Sequence, residues 1–191
     1  ELQVLTPTRR GDAGTRSLNF ALQAALNPPK PEKQERRFGE LIFREGDRVM
    51  QTRNDYDVVW QKEDGTAGTG IFNGDVGRIA RIDPSGELLE IVFDDRTATY
   101  TSDMLAELDM AYAMTVHKAQ GSEYRGVVFV GAPCAPSLMV RGVLYTAITR
   151  ARELLVIVGD DSAVNKMAEN DRRSRRYSGL KWRLRKGGEE K

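Results

Sequence analysis

The spacing of apolar residues changes period twice along the chain. Leu2-Gln3-Val4-Leu5 is a short apolar run stopped at Thr6-Pro7, which predicts a buried strand. Gly11 to Gly14 reads as loop. From Thr15 onward apolar residues fall at Leu18, Ala21, Leu22, Ala25 and Leu26, the spacing of an amphipathic helix, and Asn27-Pro28-Pro29 stops it. Pro31 to Glu40 is charged and proline-flanked, hence linker or loop.

The period then shortens. Asp47–Thr52, Val76–Ile82, Leu88–Phe93 and Thr97–Thr101 read as strands, and Phe72, Ile79, Ile82 and Phe93 as core. Asp83-Pro84-Ser85-Gly86 is a turn with Pro second and Gly fourth. Such closely spaced strands predict a small antiparallel barrel, with Tyr56–Thr69 as a mobile excursion. After Leu105 the runs Ala111–Val116, Val127–Val130 and Leu154–Val158 are continuously apolar, as in strands buried on both faces. Leu138–Arg152 has helical periodicity through Val140, Val143, Leu144, Ala147, Ile148 and Ala151. Strand, helix and strand at this spacing predict a parallel α/β sheet. The expected organisation is an α/β domain of residues 1–40 and 108–170, an inserted β-barrel at 41–107, and a tail at 171–191.

Composition narrows the class. The 191 residues, 40% hydrophobic, suffice for one domain carrying a small inserted one. No run approaches eighteen apolar residues, so no transmembrane helix is expected, and Glu1–Thr8 lacks a secretory pattern. The abrupt start on a strand suggests a piece of a longer protein. The single cysteine, Cys134, excludes an internal disulfide and fits a reducing cytosol, so a cytoplasmic location is expected. One His and one Cys argue against a protein-only zinc site. Net charge is only +1, but Arg172 to Lys186 holds eight basic residues and no acid. That run suits either a solvated tail or phosphate contact.

Two segments carry candidate chemistry. Ala113-Met114-Thr115-Val116-His117-Lys118-Ala119-Gln120-Gly121-Ser122-Glu123-Tyr124 leaves a strand for a turn dense in hydrogen-bonding groups, and strand ends are where α/β folds place ligands. The alternative is an ordinary polar loop. Leu144-Tyr145-Thr146-Ala147-Ile148-Thr149-Arg150-Ala151-Arg152 ends a helix on two arginines, which taken singly are helix-end cations favoured by the macrodipole.

Together the strings resemble motifs V and VI of superfamily 1 DNA helicases in the form used by the RecD-like branch. Val4–Gly11 through Leu18-Asn19 resembles the motif IV region. Asp47–Asn54 followed by Phe72–Gly77 resembles the start of the SH3-like insertion of that branch. The resemblance spans roughly Leu2 to Asp160. It implies the second RecA-like motor domain, of the P-loop NTPase superfamily, interrupted by an SH3-like barrel. It implies an ATP-dependent helicase moving 5′ to 3′ on single-stranded DNA, with Arg150 as the catalytic arginine finger. Gly121 and Glu123 would lie at the nucleotide edge with Arg150. Thr115 and His117 would face DNA, Lys118 would contact phosphate or be a solvated charge, and Gln120 would couple the two sites. Arg53 and Asn54 of the insertion are DNA candidates, with Arg48, Gln51, Tyr56 and Asn73 as further polar or aromatic positions. Gly74 and Asp75 read as turn residues, Asp75 capping a backbone amide.

The chain has no G-x-x-x-x-G-K-[ST] phosphate loop and no acidic magnesium box. Magnesium ligands and most of the ATP cradle are therefore expected in an N-terminal RecA-like domain of the same protein, and this stretch alone should not hydrolyse ATP. No metal ligand is expected here. The motif IV arginine is open between Arg9, Arg10 and Arg16. Expected partners are single-stranded DNA, duplex with a single-stranded tail, ATP and that N-terminal domain, with no membrane. The competing reading is a non-enzymatic DNA-binding module tethering a larger complex.

Overall fold

A computed structural model describes residues 2–172, so most of the expected basic tail, Arg173 onward, lies outside the described residues. The α/β part is a four-stranded sheet built from β1 (Leu2–Thr6), β11 (Ala113–Thr115), β12 (Tyr124–Gly131) and β13 (Ala151–Gly159). The order is β11-β1-β12-β13, and all three pairings are parallel. The helices are α1 (Thr15–Leu26), α2 (Arg141–Ile148) and α3 (Asp161–Glu169). The chain leaves β1 and β12 in opposite directions across the sheet. α1 packs against β11, and α2 packs against β12 and β13. Leu5, Val127 and Phe129 form a core with Val143, Leu144 and Ala147 of α2 and Met167 of α3.

Between α1 and β11 lies the antiparallel part. It comprises the hairpin β2 (Glu35–Phe38) and β3 (Leu41–Arg44), then β4 (Arg48–Gln51), β5 (Asp55–Gln61), β6 (Ala67–Ile71), β7 (Val76–Ile82), β8 (Leu88–Phe93), β9 (Arg96–Thr101) and β10 (Leu108–Met110). The seven-stranded sheet has the order β10-β4-β7-β8-β9-β5-β6 and two free edges, so the expected barrel is not closed by backbone pairing. Alternation is regular in β8 and β9 and slips once in β7, where the register shifts between Ile79 and Arg81: Ile79, Ile82, Leu89, Ile91, Phe93, Ala98 and Tyr100 are buried. Tyr56–Thr69, expected as a mobile excursion, is instead the β5–β6 hairpin. Its turn is set by Asp64, which accepts the Thr66 amide, and by Gly65 at φ 85°. Phe72, expected in the core, is 41% exposed.

Two further expectations change. Leu138–Arg152 is helical only over α2, because from Ala151 the backbone pairs with Tyr124 and extends β12 sideways. The apolar stripe expected to bury α1 is partly reversed. Asn19 and Gln23 are buried while Phe20, Ala21, Ala25 and Leu26 are exposed.

The reversal has a local cause. Residues 108–115 pair first with β4 in the antiparallel sheet and then with β1 in the parallel one. Between those pairings the Ala111 amide still donates to the Arg48 carbonyl (2.9 Å), but the carbonyls of Ala111 and Tyr112 are met by a side-chain amide. Asn19 Nδ2 donates to the carbonyls of Met110 and Ala113, and Asn19 Oδ1 accepts the Ala113 amide. Gln3 Nε2 donates to the carbonyls of Ala111 and Tyr112. Below them Asp47, with no exposed surface, accepts from Asn27 Nδ2 (2.7 Å), Tyr112 Oη (2.8 Å), Gln23 Nε2 (2.6 Å) and the Arg44 amide (2.8 Å). Burial, and then the Asp47 carboxylate, push the Tyr112 phenol well above its ordinary value. Polar side chains of α1 thus join the two sheets, and beside them Leu22 packs against the core of the antiparallel part.

Candidate functional site

β1 and β11 end level with one another, Thr6 beside Thr115. Beyond Thr115 the chain makes a compact turn. The Thr115 carbonyl accepts the amides of Lys118 (2.9 Å) and Ala119 (3.1 Å), and Oγ1 also accepts the Lys118 amide. Val116 and Ala119 are buried and anchor the turn, while His117, Gln120, Gly121, Ser122 and Glu123 are exposed. Gly121 has φ 91° and open space where a Cβ would stand, so its backbone is approachable from solvent. Residues 116–123 therefore carry the chain from the C-terminal end of β11 to the N-terminal end of β12. In a parallel sheet those ends lie at opposite edges.

That crossing splits the candidates into two groups. Thr115, His117 and Lys118 stand near the C-terminal edge, where strand ends usually present ligand groups. Gly121, Ser122 and Glu123 arrive at the opposite edge, beside the junction of α2 and β13. There Arg150 is half-buried. Its Nη1 donates to the Ser122 carbonyl (2.9 Å), its Nε to the Thr146 carbonyl (3.3 Å) and its Nη2 to Thr149 Oγ1 (3.3 Å). The Arg150 carbonyl accepts the Tyr124 amide (2.8 Å). Two residues further on, Arg152 Nε pairs with Glu123 Oε2 (2.8 Å). The two sequence strings thus meet through Arg150–Ser122 and Arg152–Glu123.

The insertion candidates meet the first group. Asn54 Oδ1 accepts the Asn73 amide (2.9 Å), and Asn73 Oδ1 accepts from Lys118 Nζ (2.5 Å). Asn54 and Lys118 are therefore joined through Asn73, and Arg53 beside them is exposed. The turn carrying Asn73 is held by Gly74 at φ 103° and by Asp75, whose carboxylate accepts the Phe72 amide (3.1 Å) and pairs with Arg96 (3.2 Å). This is the expected capping role for Asp75. Arg48 instead reaches the Leu2 carbonyl and Gln3 Oε1 and joins β4 to β1, while Gln51 is buried against Tyr100 and Glu107.

A groove of about 1160 Å³ runs between α1, the β2–β3 hairpin and the edge of the antiparallel sheet. Arg9, Arg10, Arg16 and Lys118 line it. Arg9 pairs with Asp109 (3.5 Å) and Arg16 with Glu40, whereas no ion pair engages Arg10 among the described residues. The described residues contain no group of three or more His, Cys, Asp or Glu side chains placed to hold a metal ion, and no helix long and apolar enough to cross a membrane.

Sequence reasoning missed the ring of Phe72, because an aromatic residue among strands reads as core. It sits over Gly70, where a Cβ would come within 2.9 Å of the ring. The spacing Gly70-Ile71-Phe72 was the available signal.

Two family models match. Residues 18–93 match the SH3 domain of ATP-dependent RecD-like DNA helicases, and residues 110–158 match the UvrD-like helicase C-terminal domain. The ATP-dependent RecD2 DNA helicase of Deinococcus radiodurans is 37% identical over 174 residues, covering 91% of this chain and 22% of that protein. The RecBCD enzyme subunit RecD of Mycolicibacterium smegmatis is 31% identical over 188 residues, 98% of this chain and 30% of that protein. The chain thus spans under a third of the length of these relatives. Among solved structures, Bacteroides Pif1 bound to single-stranded DNA superposes with a TM-score of 0.54 at 17% identity, covering 99% of this chain and 46% of that one. The Bacteroides Pif1 complex with ADP-AlF3 and single-stranded DNA gives 0.54 at 18% identity, covering 100% and 46%. These likenesses establish a shared fold.

Proposed function

Because this chain belongs to the RecD-like branch of superfamily 1 DNA helicases, we propose that it works as the second motor domain of an ATP-dependent DNA helicase translocating 5′ to 3′ on single-stranded DNA. The motor domain comprises residues 1–40 and 108–170, the SH3-like insertion 41–107, and the basic tail 171–191. The substrate nucleotide lies between this domain and an N-terminal RecA-like domain of the same protein, which supplies the phosphate loop and the magnesium ligands.

The observation that carries the reading is the junction of Ser122 and Arg150. It holds a permanently charged, half-buried guanidinium at the sheet edge beside the glycine of an approachable turn. In place, Arg150 neutralises charge that develops on the transferred phosphoryl group, with Gly121 and Glu123 lining the nucleotide edge. Arg152 is committed to Glu123 and holds the turn. Thr115, His117 and Lys118, with Arg53 and Asn54 across the Asn73 link, contact the DNA backbone. Gln120, midway along the crossing, couples the two groups. Backbone contact implies binding that is indifferent to sequence and weakened by salt.

The test is Arg150→Ala in the intact protein. DNA-stimulated ATPase should fall by about 10³ to 10⁵, as for arginine fingers in NTPases generally, while nucleotide binding persists. Turnover within tenfold of the parent would sink the assignment. A non-enzymatic tethering module is the competing reading, and no feature of the fold favours it.

A further inference from the structure

An exposed aromatic pair stands on the antiparallel sheet, next to the turn that Asn73 ties to Lys118 and Asn54. Tyr56 at the start of β5 is 65% exposed, and Phe72 just beyond β6 is 41% exposed. Their rings meet edge to face, 5.6 Å between centroids and 73° between planes. Neither is loose. Phe72 lies over Gly70, whose missing Cβ makes room for the ring, and the Phe72 amide is held by Asp75. The next residue, Asn73, accepts from Lys118 and donates its amide to Asn54. Two solvent-facing aromatic faces fixed on a sheet cost apolar exposure with no interior to fill. They lie beside the cation Lys118, and Arg53 and Asn54 immediately precede β5.

We infer that Tyr56 and Phe72 form a stacking step for an unpaired nucleobase of a single strand whose phosphates are held by Lys118 and Arg53. Any base presents a π-face, so the step is tolerant of sequence, and it excludes paired bases, whose faces are already covered. The inference rests on the helicase reading but asks something separate of it: contact with bases, where that reading needs only phosphates. Through Asn73 the step is also tied to the turn after β11, so the base and the 116–123 crossing share one short connection.

The experiment compares an oligothymidylate with an abasic strand of equal phosphate number, titrated against the intact protein by fluorescence anisotropy. Tyr56→Ala and Phe72→Ala should each weaken oligothymidylate binding about tenfold. Neither should change binding of the abasic strand, and Tyr56→Phe should bind as the parent does. Unchanged oligothymidylate affinity in both alanine variants overturns the inference. So does an equal loss on both strands, which would mark a structural role. A parent protein that holds the abasic strand as tightly as the oligothymidylate overturns the step alone. A parent that binds neither strand overturns the helicase reading along with it.

Discussion

Asp47→Ala should be among the most destabilising single substitutions in the chain. The carboxylate accepts four hydrogen bonds, from Asn27, Tyr112, Gln23 and the Arg44 amide, and has no exposed surface. Alanine would leave one hydrogen on each of the two amide groups, the Tyr112 hydroxyl and the Arg44 N–H facing a small cavity. Gln23 keeps a bond to the Ile42 carbonyl and Asn27 one to the Glu45 carbonyl, so those groups lose half their partners. An orphaned buried donor costs about 1–3 kcal/mol. A water entering the cavity would recover part of that, and the buried carboxylate no longer pays desolvation. The net loss is about 3–5 kcal/mol, a drop of roughly 10 °C in Tm for a chain of this size. Asp47→Asn keeps one acceptor but points an NH₂ at two donors, so it should recover less than half of the loss. Urea and thermal unfolding of the parent and both variants measure this directly, and a double-mutant cycle with Tyr112→Phe isolates one bond. If Asp47→Ala cost under about 1 kcal/mol, the claim that buried polar contacts join the sheets would be wrong.

Gly77→Ala should cost about 1–3 kcal/mol, because a Cβ there would meet Phe93 Cδ1 and the Val92 carbonyl oxygen at 2.8 Å and Ile91 Cγ2 at 2.9 Å. Urea unfolding checks it, and a neutral result would mean β7 can shift away from β8. Asp83 should titrate below the ordinary Asp value of about 3.9, because the Leu88 amide and then the Ser85 hydroxyl bond its ionised form. A depressed pKa contributes stability above the unfolded value that is lost as pH falls through the folded one. The Leu88 amide should accordingly lose hydrogen-exchange protection on acidification; a carboxyl NMR titration centred at or above the ordinary value would refute this.

Much of the antiparallel part was legible because its strands are half-buried and alternate. Val76–Ile82 and Leu88–Phe93 coincide with β7 and β8, and Asp83–Gly86 is the turn between them. The motif V and VI strings were legible as chemistry, but their division between opposite sheet edges was not. A loop's length does not reveal that it crosses from the end of one strand to the start of the next. α1 was found with its correct limits but only part of its buried face: Leu22 does pack against a core, whereas Asn19 and Gln23 replace Ala21, Ala25 and Leu26 as the buried positions, because apolar periodicity assumes an apolar partner. Here Asn19 and Gln23 are needed by the backbone at Met110–Ala113 and by Asp47, and such a demand is visible only once distant segments are adjacent. The Lys118–Asn73 link spans 45 positions and escapes local reading for the same reason.

The placement of β1 also sets an order of events during synthesis. Its neighbours are β11 and β12, which begin at Ala113 and Tyr124, so both of its edges stay unpaired while more than a hundred residues emerge. At ribosomal rates of about 5–20 residues per second that wait lasts roughly 5–20 s. β4 and β7 to β9 pair within the stretch made in between, so the antiparallel sheet can form first, around its own core. The parallel sheet then closes when residues 108–115 thread between β4 and β1 and β12 follows. Until then Leu2-Gln3-Val4-Leu5 is an apolar strand with two open edges, the kind of segment that invites misassociation on a crowded polysome.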